Sequence, residues 1–119
     1  MNVFFDVQGT LLSSDRARPH VRSVLEELTQ AGHHVYIWSG GGASYAKNAA
    51  YLLEVDDLVF GTFSKTADIP VTVDFAVDDF SGLVECYGGY TVATYYGASE
   101  DDALLEVPGA VKSHEEREI

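Results

Sequence analysis

The chain reads as an α/β protein, a three-layer α/β/α sandwich around a mostly parallel five-stranded sheet. Two observations carry that reading. Short runs of β-branched and aromatic residues alternate with stretches of helical period, the order that builds parallel strands joined by crossover helices. The runs are also apolar throughout instead of alternating with polar residues, as in strands buried on both faces. The length of 119 residues then bounds the size. It suits one core, so residues 1–111 are expected to form a single domain, with 112–119 a polar, frayed C-terminal tail.

Each element has its own signal. Val3-Phe4-Phe5 is the first strand, ending at Asp6. A helix is predicted over 19–31, where Val21, Val24, Leu25, Leu28 and Ala31 share one face of a 3.6-residue period. Pro19 suits its first position and Gly32 the residue just past its end. Val35 to Trp38 is the second strand, ending at Ser39, and Ala46, Ala49, Ala50, Leu52 and Leu53 stripe a second helix over 43–54. The third strand, Leu58-Val59-Phe60, is expected to close at Gly61. The fourth, Phe75-Ala76-Val77, closes at Asp78-Asp79, with a short helix after it. Tyr90 to Tyr96 is the fifth, closed by Gly97, and 99–105 is a further helical segment.

Composition excludes several functions. Nineteen acids against 3 Lys and 4 Arg give a net charge of −12, spread as −3 over 1–60, −4 over 61–99 and −5 over 100–119. Such a chain has no basic footprint for nucleic acid or for an anionic membrane surface. No apolar run approaches the roughly 18 residues that a membrane span needs. The opening MNVFFDVQGT lacks the basic start of a signal peptide, and the single cysteine, Cys86, forms no internal disulfide. A cytoplasmic location is the resulting expectation. His20, His33, His34 and His114 have no spacing that suits zinc.

In open α/β sheets the ligand lies beyond the carboxyl ends of the strands. Here those ends carry Asp6, Ser39, Gly61 and Asp78-Asp79, with Lys65 close behind the third strand. Three carboxylates that converge need a cation or a raised pKa. An oxygen-only set suits Mg²⁺, and a lysine beside it suits a phosphate. Ser39 followed by Gly40, Gly41 and Gly42 offers a hydroxyl and open N–H groups at a helix start. A carboxylate placed there can act as a nucleophile and form an aspartyl-phosphate.

Asp-x-x-Gly-Thr after the first strand, Ser after the second, Lys after the third and Asp-Asp after the fourth resemble the four motifs of the haloacid dehalogenase (HAD) superfamily. Phe4 to Leu11 carries the first motif, and together the motifs cover residues 3–80. The resemblance implies a Rossmann-like fold and an Mg²⁺-dependent phosphohydrolase or phosphoryl-transfer enzyme. It implies Asp6 as nucleophile and Mg²⁺ held by Asp6, the backbone carbonyl of Gln8 and Asp79, with Asp78 a second candidate. Ser39 and Lys65 would bind the transferring phosphoryl group, and Gly40, Gly9 and Thr10 would add substrate contacts. Position 8 departs from the family, whose phosphatases carry a second Asp there as general acid and base. Glutamine exchanges no proton at neutral pH. The alternative is therefore a lapsed enzyme that binds Mg²⁺ or a phosphorylated ligand, or that serves as a protein-interaction module.

The gaps from Asp6 to Pro19 and from Lys65 to Asp78 are each 13 positions, too short for the family's cap domains. The expected site is therefore open, which suits a bulky or macromolecular phosphorylated substrate, or closure by an oligomeric neighbour. A receiver domain also gathers acids, a lysine and a hydroxyl at strand ends. It places its acid pair after the first strand and its phosphorylated Asp after the third, an order this chain does not have.

Overall fold

The computed structural model describes residues 1–118 of the chain. Five strands form one all-parallel sheet: β1 (Asn2–Phe5), β4 (His34–Ser39), β5 (Val59–Ser64), β6 (Phe75–Asp78) and β7 (Gly89–Thr91). Their order across the sheet is β5-β4-β1-β6-β7, which is Rossmann-like. The chain runs from β1 outward to β4 and β5, then crosses back to β6 on the other side of β1. The order therefore reverses beside β1, where open α/β sheets form their ligand crevice.

The pleat sorts side chains to two faces. Val3, Phe5, Val35, Ile37, Phe75 and Val77 form one core with buried residues of α1 (Val21–Gln30), α2 (Ala43–Leu52) and α4 (Val107–Arg117). Phe4, Tyr36, Trp38 and Ala76 form the other, covered by Leu83 of α3 (Ser81–Tyr87) and by Ile69, Val71 and Val73 of the β5–β6 connection. Helices thus lie on both faces, three on one and a short one on the other. The thin face is closed largely by aromatic packing, with Phe4 stacked on Tyr36 at 4.7 Å between ring centroids.

Several expectations need correction. Helix α1 begins at Val21, not at Pro19, because His20 takes a left-handed φ of 74° and turns the chain before the helix can start. In α2, Leu52 is exposed, while Ala46, Ala49 and Ala50 make the buried stripe. Gly61 does not close the third strand: it pairs with Tyr36 after a bulge, and β5 runs on to Ser64. The fifth strand is shorter than its apolar run, since after Thr91 the chain leaves the ladder. Val92 N–H donates to Asp78 O (3.0 Å) and Tyr95 N–H to Gly9 O (2.8 Å), so residues 92–95 cross the carboxyl ends of β6 and β1.

At the C-terminus, a 3₁₀ turn (Ala103–Glu106) leads into α4, and the segment from Lys112, expected as a frayed tail, is helical through Arg117. Val107 and Val111 anchor that helix in the core, and His114 meets Phe75 edge-on at 5.2 Å. Only Ile119 of the expected tail lies outside the described residues. A hairpin not foreseen fills the gap after Asp6: β2 (Leu12–Ser13) pairs with β3 (Arg16–Ala17). No helix is long and apolar enough to cross a membrane.

Candidate functional site

The carboxyl ends of β1, β4, β5 and β6 meet at one edge, and the sheet register aligns their last residues. Asp6 follows β1, and its N–H donates to Val77 O of β6 (3.0 Å), which fixes it beside Asp78. Lys65 follows β5, and its N–H donates to Ser39 O at the end of β4 (3.0 Å). From there its ammonium donates to Asp6 Oδ1 and Asp78 Oδ2, each at 2.7 Å. Asp78 is buried and also accepts from Phe80 N–H (2.9 Å). Asp79 accepts from Thr94 Oγ1 (3.0 Å), supplied by the segment that crosses the edge after β7. Asp6, Asp78 and Asp79 each place an oxygen within 4.8 Å of the others.

The electrostatics follow from this packing. Three carboxylates share this edge with one ammonium, which pairs with Asp6 and Asp78 and leaves two formal negative charges unmatched. Burial, aided by the Asp78 charge, pushes Asp6 up from 3.8 to about 6, although its hydrogen bond and ion pair with Lys65 and a Val7 N–H oppose the shift. Burial alone would lower Lys65, but its hydrogen bonds to Asp6 and Asp78 and their charges outweigh that and raise it. The all-oxygen donor set, with two negative charges uncompensated, fits a hard divalent cation.

The remaining residues named from sequence divide into two groups. Ser39 Oγ accepts from Gly41 N–H (3.0 Å), which leaves its own proton free to donate. Gly40 is exposed beside it, and no side chain caps the start of α2. The exposed backbone from Gly40 to Gly42 is open to an anion, with the buried Ser39 hydroxyl beneath it. Thr10 is different. It is fully buried and donates to Asp6 Oδ2 (3.1 Å), so it holds the carboxylate and is not open to a ligand. Gly9, also buried, has φ 84° and lies against Asp79, whose Cγ would be 2.9 Å from any added Cβ. Thr10, expected as a substrate contact, instead supports Asp6, and Gly9, expected as another, leaves the room that Asp79 occupies.

Gln8 is held away from proton chemistry. Its Oε1 accepts from Ser14 N–H (2.9 Å), and its Nε2 donates to Ser14 O (2.9 Å) and to Tyr45 Oη (2.8 Å). Ser14 has a left-handed φ of 54°, a costly state for a residue other than glycine, and the carboxamide satisfies both its backbone groups. An aspartate there would lack the donor.

Three contributors were missed from sequence. Thr94 and Tyr45 carry no local signal, because a strand-like run and a helix stripe account for them equally well. Arg18 is the third. Its side chain is fully buried, bridges to Asp101 (2.8 Å), and donates to Gly9 O (3.5 Å), Thr10 O (3.2 Å) and Ala93 O (2.8 Å). It thereby ties the loop after Asp6 to the segment that delivers Thr94. A single arginine in a turn-rich stretch offers no pattern that would announce this.

Clefts of about 240 Å³ beside β5 and about 330 Å³ between α1 and α4 are lined by none of the three acids. No protein-family model matches the chain, and no curated protein matches it. The four motifs carry the HAD resemblance on their own.

Proposed function

We propose that the protein is an Mg²⁺-dependent phosphohydrolase or phosphoryl-transfer enzyme of HAD type, acting through an aspartyl-phosphate on Asp6. The observation that carries this reading is Lys65, held 2.7 Å from both Asp6 and Asp78 with Asp79 alongside, on the edge where strand order reverses. Asp6, Asp78, Asp79 and the backbone carbonyl of Gln8 would hold the metal, which when bound offsets charge on the acids and on a phosphoryl group. Lys65 and the Ser39 hydroxyl, with the N–H of Gly40, bind phosphoryl oxygens. The Asp6 carboxylate attacks phosphorus, the bond to the leaving oxygen breaks, and water later cleaves the aspartyl-phosphate. Such transfer depends mainly on positioning and charge stabilisation.

Gln8 supplies no proton to the leaving oxygen. General acid catalysis contributes about 10²–10⁴-fold, so substrates with leaving groups that depart unprotonated, such as aryl phosphates or phosphoanhydrides, suit this site best. The clasp of Gln8 on Ser14 favours a second reading, a phospho-ligand-binding or interaction module in which position 8 serves structure alone.

One experiment separates them: Mg²⁺-dependent release of phosphate from an aryl phosphate by wild type, Asp6→Asn and Gln8→Asp. Turnover by wild type that disappears in Asp6→Asn supports the enzyme. Failure of wild type and of Gln8→Asp alike, with Mg²⁺ binding retained, supports the module.

A further inference from the structure

We propose that the outer edge of β5 is a homodimer interface, pairing antiparallel with β5 of a second copy across a twofold axis to join two sheets into one. The first observation is the open ladder. Lys65 N–H donates to Ser39 O, so Gly61, Phe63 and Lys65 turn their backbone groups toward β4, and by alternation Thr62 and Ser64 turn theirs outward. Among the described residues, nothing pairs with Thr62 N–H, Thr62 O or Ser64 N–H. The usual protections of such an edge are missing. The six residues Val-Phe-Gly-Thr-Phe-Ser include no charge and no proline, and the bulge at Phe60 bends only the start.

The second observation is where the negative charge is not. No acid occurs in residues 28–53 or in 58–67, which include β4, α2 and β5, although the chain carries 19. Large apolar side chains are exposed on both faces of this edge: Tyr51 of α2, beside Thr62, on one, and Phe60 of β5, at 62%, on the face of Tyr36. Two copies that each bear −12 repel least where their acids are withdrawn.

The third observation names the occupant. The cleft of about 240 Å³ beside Thr62 is lined by both Lys47 and Asp56. A twofold axis sets one patch against itself, so a patch with both charges is complementary to its own copy, Lys47 of one facing Asp56 of the other. An uncharged strand beside a cleft that carries one cation and one anion therefore fits a second copy better than a strongly charged partner.

Sedimentation velocity at about 100 μM, a concentration that detects even weak self-association, tests the proposal. Wild type is expected at twice the monomer mass of 12.9 kDa. Thr62→Pro removes an outward N–H that β4 does not use, and Phe60→Lys places a charge on the strand itself, near its start. Each should return the protein to the monomer mass with its circular dichroism unchanged. Tyr96→Lys, at a site 86% exposed outside this edge, should leave the dimer intact. A monomeric wild type overturns the proposal and leaves the edge to a strand of another protein. A dimer that survives Phe60→Lys in folded form overturns it as well.

Discussion

Burial and the neighbouring Asp78 carboxylate push Asp6 up to about 6, while its pair with Lys65 works against them. The sign of the consequence is opposite to that of an ordinary ion-paired acid. The folded-state pKa lies above the unfolded value of 3.8, so the folded protein binds more protons between pH 3.8 and about 6. The stability due to Asp6 is fully present below pH 3.8 and is lost as pH rises through about 6. Urea unfolding in chelator should therefore show wild type gaining on Asp6→Asn as pH falls from 7 to 4, by on the order of 2–3 kcal/mol. A constant difference across that range would show that Lys65 compensates the burial completely. Asp6, Ser39, Lys65, Asp78 and Asp79 were legible in the sequence because each follows a strand whose apolar run is unmistakable. Gln8 was legible only as a departure. Its bonds to Ser14 depend on a left-handed turn that no residue type nearby announces, and the bond of Thr94 to Asp79 depends on a crossing that only the folded chain makes.

At the scale of elements, the junction of β6 and β7 is where packing is least forgiving. A Cβ on Gly89 would lie 2.7 Å from Ala76 N and 2.8 Å from Ala76 C, so no side chain fits between the strands. Gly89→Ala should cost about 2–3 kcal/mol by overpacking. Because residues 92–95 run from β7 to the acid edge, it should also weaken cation binding. Gly109→Ala, in α4 with nothing within 4 Å, should instead stabilise by about 0.5–1 kcal/mol through helix propensity. Urea midpoints of the two variants test the contrast; equal effects would place the strain elsewhere. The same junction marks how far elements could be read from sequence. Apolar runs located all five sheet strands: burial on both faces demands them in β1, β4 and β6, and the half-buried edge strands β5 and β7 carry them as β-branched and aromatic residues. The ends were misplaced where tertiary contacts decide: at Gly61, which a bulge carries into the strand, and after Val92, whose N–H makes the last rung to Asp78 O before the chain turns so that Tyr95 N–H reaches Gly9 O. The hairpin of β2 and β3 went unseen because strands of two residues each have no periodicity to read. Helix α4 looked like a tail because only Val107 and Val111 of its face are buried apolar residues.

For the whole molecule, a net charge of −12 sets the conditions under which any cation effect must be measured. Self-repulsion destabilises so acidic a chain, and any salt relieves it by screening. Mg²⁺ would therefore raise the melting temperature to some extent even without a site. A specific site adds a different dependence. Binding to the folded state alone stabilises by about 2.7 kcal/mol when the free ion is at 100 times its Kd. For a chain of 119 residues that corresponds to a rise of about 10 °C. The comparison must hold ionic strength constant, with NaCl replacing MgCl₂. Under that constraint wild type should show the rise and saturate, whereas Asp79→Asn, which removes the charge of the least buried of the three acids, should show little of it. Asp102→Asn, an acid of the same type remote in sequence from the three strand-end acids, should behave as wild type. If all three proteins shift together, the cation acts elsewhere on the acidic surface, and the cluster of Asp6, Asp78 and Asp79 is an internal ion pair with Lys65 and not a metal centre.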